Sequence, residues 1–256
     1  MKARVHQLLR HLGYTVSRNE APAPLTDSPD PIEASVRDWE IIRTVAEYTM
    51  TPPVRTWALI QAVRHVIARR VPGDFVECGV WRGGSVMAIA MILSDLGIHD
   101  RRIWLYDTFE GMTQPLDLDY VIGTQLSAEQ LMEDTSVADG RNVWAFASRN
   151  DVESNLSRTG LAHEQFVFVQ GDVLVTLQEQ SPAEVCLLRL DTDWYASTAA
   201  ELAHLYPRLA NGGVCIIDDY GCWNGALQAT DEFLSTLDPM PFVHRIDRES
   251  RLWFKS

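Results

Sequence analysis

Two apolar runs in this chain end in carboxylates that must repel one another. LLRLDTDWYAST, residues 187–198, leads into Asp191 and Asp193, and GGVCIIDDYG, residues 212–221, ends in Asp218 and Asp219. Carboxylates about 4 Å apart repel by roughly 4 kcal/mol at an effective dielectric of 20. Such a group either keeps a proton, as an acid–base dyad does, or is offset by a cation. Asp191, Asp218 and Asp219 offer hard oxygen donors with no His or Cys beside them, a set that favours Mg²⁺, or Mn²⁺ or Ca²⁺, over zinc. A divalent ion lowers the pKa of a hydroxyl bound to it. Asp191, on the ion or just beside it, is then the expected general base.

The other strand ends carry acids too: Glu77, Asp107 and Asp172. In open parallel sheets ligands bind beyond the carboxyl ends of the strands. Helix capping is the competing explanation, above all for Asp172, because Asp is a favoured N-cap. ECGVWRGGS, residues 77–85, adds a glycine-rich turn whose backbone N–H groups would face a ligand at a helix N-terminus. Its spacing is G-x-x-x-G-G rather than G-x-G-x-x-G, which does not favour a nicotinamide dinucleotide. Asp107 stands where a ribose diol would be held, and Asp172 is placed to accept from an adenine amino group. An adenosyl site with no diphosphate to satisfy points to S-adenosylmethionine. The reaction is then an in-line attack of a hydroxyl on a methyl sulfonium, in which positioning supplies up to roughly 7–11 kcal/mol of the barrier.

Those residues need a sheet to hold them. Apolar strands are predicted at 74–80, 102–107, 165–169, 185–191 and 213–218, with helices at 84–97, 151–160, 173–180, 198–210 and 224–237 between them. Near-continuous apolar strands alternating with helices imply a parallel sheet covered on both faces. FVHRI and RLWFK, joined by DRES, predict an antiparallel hairpin at the sheet edge, for seven strands in all. Upstream, the chain predicts an amphipathic helix with Val5, Leu8, Leu9 and Leu12 on one face, a Pro-rich linker at 21–31, and helices near 33–47 and 53–71. The expected division is a helical extension and lid over 1–71 and a ligand-binding α/β domain over 72–256. Residues 108–150 form a long polar insertion, expected to act as part of the lid because connections of that length are usually functional. Trp223 either stacks on a substrate ring or packs the next helix, and Trp81 lies near the ligand turn.

Composition narrows the function classes. The 256 residues are 46% hydrophobic and 22% charged with a net charge of −13, which argues against a nucleic-acid partner. No apolar run reaches the roughly 20 residues that span a bilayer, and the start lacks the pattern of a secretory signal. Cys78, Cys186, Cys215 and Cys222 show no C-x-x-C spacing and fit buried thiols in a reducing, cytoplasmic setting.

EYTMTPPVR, GDFVECGVWRGGS, WLYDTFEGM, LLRLDTDWYAST and NGGVCIIDDYG together resemble the macrocin O-methyltransferase family, the TylF-like enzymes that methylate sugar hydroxyls on glycosylated antibiotics of macrolide, aminocoumarin or enediyne type. The resemblance spans about residues 48–233. It implies a class I methyltransferase (Rossmann-like) fold, S-adenosylmethionine as donor, Mg²⁺ dependence, a small-molecule glycoside as acceptor and a homo-oligomer. It assigns metal ligation to Asp191, Asp218 and Asp219, with Asp191 also the base. Cofactor contacts fall on Glu77, Gly79, Gly84, Ser85, Asp107, Thr108, Gly171 and Asp172, with Met50 and Thr51 toward the methionine end. Three other readings stay open: a catechol or phenol O-methyltransferase, a metal-dependent hydrolase, and a non-catalytic module binding a nucleoside or a metal.

Overall fold

The structure is a computed structural model of the chain and describes residues 30–124, 126–137 and 142–256. The expected first helix and nearly all of the Pro-rich linker lie outside the described residues.

Five strands follow the predicted alternation: β1 (Asp74–Cys78), β2 (Ile103–Asp107), β3 (Phe166–Gln170), β4 (Val185–Leu190) and β5 (Leu209–Ile217). The tail adds β6 (His244–Arg245) and β7 (Arg251–Phe254). Strand order is β3-β2-β1-β4-β5-β7-β6. Pairings from β3 through to β5 are parallel, and β7 runs antiparallel to both β5 and β6. The order reverses between β1 and β4, so a crevice opens beyond their carboxyl ends. β5 starts earlier than the apolar run suggests because the register shifts: Val185 pairs with Leu209, but Leu187 pairs with Val214.

The strands are buried on both faces, each by its own helices. On one face α1 (Val36–Val45), α2 (Pro53–Ala68), α3 (Gly84–Asp95) and α5 (Arg149–Leu156) pack against Phe75, Ile103, Leu187 and Ile216. On the other, α6 (Val173–Glu179), α7 (Tyr195–Leu205) and α8 (Asn224–Ser235) cover Val76, Tyr106, Leu188 and Ile217. Local signals set the helix starts. Ser35 and Asp38 form a capping box for α1, Pro53 opens α2, and Asp172 caps α6 by accepting from the Leu174 N–H. The 30–71 segment thus shares one core with the sheet, through Ile41, Val45, Ile60 and Val63.

Within the insertion a helix absent from the sequence expectation, α4 (Ala128–Asp134), is capped by Ser127. Ala128 and Met132 join Trp194, Trp223 and Ala226 in a small satellite core. Asp119, fully buried, fastens the insertion down: its carboxylate accepts from the N–H groups of Leu116 and of Tyr195, the first residue of α7. Gly225 lets this happen, since a Cβ there would sit 1.8 Å from Asp119 Oδ1. Among the described residues no helix is long and apolar enough to cross a membrane.

Candidate active site

β1 and β4 are neighbours, and Gly79, just past β1, is what allows their ends to touch. Its φ is +79°, and a Cβ would lie 2.0 Å from the Asp191 carbonyl oxygen. The turn after it is held by Asp107, whose Oδ2 accepts from the N–H groups of Val80 (2.6 Å) and Trp81 (3.2 Å) and whose Oδ1 accepts from Phe109 N–H (2.7 Å). Asp107 therefore builds the glycine-rich turn, and the spare lone pairs of a carboxylate leave it able to accept from a ligand as well. Thr108 closes the next turn by donating to the Gly111 carbonyl. Gly171, at φ +136°, donates its N–H to the Asp107 carbonyl and leads into Asp172, whose capping bond to α6 coexists with a place in the cavity wall. Gly84 opens α3 and donates to the Tyr48 carbonyl at 2.8 Å; a side chain on it would collide with that carbonyl. Tyr48 through Thr51 are thereby clasped to the start of α3, with Ser85 buried beneath them.

These elements surround a cavity of about 300 Å³. All thirteen predicted ligand-facing residues, from Met50 and Thr51 to Asp218 and Asp219, line it. Met112, Thr113, Asn142 and Val143 of the insertion close it on one side, and Trp223 and Glu249 border the acidic end. Trp223 itself packs edge-on against Trp194, with ring centroids 4.9 Å apart.

The acidic end is built around a buried cation that the motif search did not single out. Arg189, next to last in β4, is 3% exposed. Its Nη1 lies 2.5 Å from Glu77 Oε1 and 2.7 Å from Asp191 Oδ2, and its Nη2 lies 2.9 Å from Asp218 Oδ1. A second guanidinium arrives from α2: Arg55 bonds Asp218 Oδ2 at 2.8 Å and Asp247 Oδ2 at 2.6 Å, and also reaches Glu249. Asp218 is thus gripped from both sides by arginines. The three carboxylates that converge are Asp191, Asp193 and Asp219, each with an oxygen within 4.8 Å of the other two. The expected set was Asp191, Asp218 and Asp219. Asp218 and Asp219 both line the cavity, but Asp218 has both of its oxygens engaged by the guanidinium groups of Arg55 and Arg189.

Asp193 reaches the cluster through an unusual turn. Its φ is +64°, and Trp194 N–H donates to the Thr192 carbonyl at 2.7 Å across it. That is a γ-turn of the left-handed form, rare and strained for a residue other than glycine.

At that separation each pair of charges costs roughly 3–4 kcal/mol at an effective dielectric of 20, and the carboxylates are ringed by protein. Burial, then the Asp191 charge, pushes Asp193 up to about 7. Burial and the Asp193 charge hold Asp219 well above the usual carboxylate range. Burial raises Asp191 as well, against the pull of Arg189. Glu77 is pushed up to about 8 by burial, and its Oε2 is buried with no hydrogen-bond partner. Such a cluster is suited to a divalent cation, and the unsatisfied Glu77 oxygen to a ligand donor group deep in the crevice.

Similarity to known proteins agrees with this geometry. The profile of the family described as Macrocin-O-methyltransferase (TylF) matches residues 2–255. Mycinamicin III 3''-O-methyltransferase of Micromonospora griseorubida is 32% identical over 88% of this chain and 85% of its own. Demethyldecarbamoylnovobiocin O-methyltransferase of Streptomyces niveus is 31% identical over 85% of this chain and 78% of its own. The solved structure of the O-methyltransferase NovP superposes with a TM-score of 0.69 and 32% identity, covering 82% of each chain.

Proposed function

The chain belongs to the macrocin O-methyltransferase family, and from that premise we propose that it moves a methyl group from S-adenosylmethionine to a sugar hydroxyl on a glycosylated natural product. The observation that carries the reading is the meeting of three carboxylates at the acceptor end of a cavity whose other end is the β1–α3 turn.

The donor would lie along that turn. Gly79 and Gly84 keep the backbone low beneath it, Asp107 and Asp172 offer carboxylate oxygens toward an adenosine, and the lone Glu77 oxygen suits a donor group at the methionine end. Asp191 and Asp219, with Asp193 in reach of the same point, would hold a divalent ion, Mg²⁺ by preference for an all-oxygen set. When bound, such an ion supplies a lowered pKa to an acceptor hydroxyl.

The resemblance names Asp191 as base, yet the geometry favours Asp193. Arg189 engages one Asp191 oxygen at 2.7 Å and so occupies a lone pair that could otherwise take the proton, although burial raises Asp191 overall. Asp193 makes no ion pair among the described residues, and burial together with the Asp191 charge raises its proton affinity, which suits a general base. Asp193 would take the hydroxyl proton as the oxygen attacks the methyl carbon and the sulfonium leaves as a neutral thioether. The insertion, through Met112, Thr113, Asn142 and Val143, would select the acceptor and exclude water.

The deciding experiment incubates the protein with S-adenosylmethionine, Mg²⁺ and panels of demethylated glycosides and of catechols, with mass spectrometry of the products. A gain of one methyl on a sugar, abolished by chelator and restored by Mg²⁺, is expected. Methylation of catechols alone would overturn the sugar assignment, and turnover indifferent to chelator would overturn the metal. Light scattering tests the homo-oligomer expected from the resemblance.

A further inference from the structure

Behind the Asp191–Asp193 turn lies a carboxyl that the proposed chemistry does not use. Glu201 projects from the middle of α7 and is fully buried. Its two oxygens stand 3.0 and 3.1 Å from Thr192 Oγ1, and Thr192 is the residue between the two aspartates. The charged or titratable groups around it are acids and thiols: Asp191, Asp172, Asp193, Cys78 and Cys215. With no cation to offset it, burial pushes this carboxyl well above its ordinary range. A neutral carboxyl has one donor and one acceptor oxygen, and a threonine hydroxyl likewise donates once and accepts. The Thr192 hydroxyl donates toward the Glu201 carboxyl, both of whose oxygens lie within hydrogen-bond reach of it.

The turn in front of this pair needs support. Asp193 holds a positive φ, and backbone strain of that kind, on the order of 1–3 kcal/mol, persists only where the surroundings over-determine it. The carbonyl of Thr192 is fixed by Trp194 N–H and by Ser197 Oγ at 3.3 Å. Its methyl group lies against Gly79, 3.3 Å from the position a Cβ would take there. Glu201 supplies the remaining constraint, so the Thr192 side chain is clamped between the end of β1 and the body of α7.

We propose that Glu201 is a positioning residue: paired with Thr192, it sets the angle at which Asp191 and Asp193 converge on a shared cation. The inference rests on the reading of Asp191, Asp193 and Asp219 as a cation site. Its test therefore reads the metal and the donor pocket separately.

Mn²⁺ binding followed by electron paramagnetic resonance, and S-adenosylhomocysteine binding followed by calorimetry, are measured on the full chain. Asp191→Asn serves as the control for the site itself. Loss of a partner that orients metal ligands typically weakens metal about 10–100-fold, and that loss is expected for Glu201→Ala and for Thr192→Val. S-adenosylhomocysteine should bind both variants as it binds the parent. Glu201→Gln and Thr192→Ser, which keep a hydrogen bond between the two side chains, should retain Mn²⁺ binding. Thr192→Val leaves the buried acid in place and stands in if Glu201→Ala does not fold. If Asp191→Asn binds Mn²⁺ like the parent, the cation site is wrong. If Asp191→Asn loses Mn²⁺ while Glu201→Ala and Thr192→Val keep it, the brace is wrong. Glu201→Gln as damaged as Glu201→Ala would overturn a brace made through that hydrogen bond.

Discussion

In the proposed reaction Asp191 holds the ion and Asp193 takes the proton, two tasks the sequence assigned to Asp191 alone. Asp191 is tied to Arg189 and faces the cavity with its remaining oxygen, so Asp191→Asn should lose divalent-metal activation and cut methyl transfer at least about a hundredfold, while S-adenosylhomocysteine binding survives. Asp193→Asn should lower kcat by about 10²–10⁴, and it should also flatten the rise of kcat with pH that the parent shows as Asp193 loses its proton. An Asp193→Asn enzyme with the parental pH profile would return the proton to Asp191. Arg189 makes a third test. Arg189→Met leaves Glu77, Asp191 and Asp218 without their shared buried cation; breaking such a network by removing one partner costs about 3–5 kcal/mol, read as a lowered urea midpoint.

The strands were legible because apolar runs bounded by Gly and Asp have one economical reading, and the glycine turn because ECGVWRGGS needs positions without side chains. The insertion was less so. Its helix α4 is short and polar on its outer side, and what holds it is Asp119, whose partners lie far off at Tyr195 and Gly225. No local pattern announces a clasp of that span. The site was half legible for a related reason: Asp218 and Asp219 look alike in sequence, and only the arginines at 55 and 189 tell them apart. The D-x-D spacing of 191 and 193 was a usable signal, although what brings the two carboxylates together is the positive-φ turn at Asp193, which no local pattern announces. Asp119→Ala should leave the buried N–H groups of Leu116 and Tyr195 unsatisfied at a cost of about 1–3 kcal/mol each. Limited proteolysis should then cut within 108–150, and the acceptor KM should rise with donor affinity little changed.

Across the whole molecule the acidic cluster links stability to pH. Glu77 and Asp193 titrate near 8 and 7 in the fold, against about 4 for such groups in an unfolded chain. The folded protein therefore binds more protons than the unfolded chain between those values. That stability is fully present below about pH 4 and is lost as pH rises through 7 to 8. The metal-free protein should melt lower at pH 8.5 than at pH 6, and Mg²⁺ should raise the melting temperature most at the alkaline end, where it replaces the departed protons. A metal-free melting curve that climbs toward pH 8.5 would contradict the assigned shifts. One guanidinium also ties an early helix of the described fold to its last hairpin. Arg55 stands near the beginning of the described fold, yet its partners are Asp218 near the end of β5 and Asp247 and Glu249 in the final hairpin. A chain cut before Asp247 would deprive Arg55 of two of its three carboxylate partners, so its grip on Asp218 should slacken and the acidic end of the cavity lose an anchor.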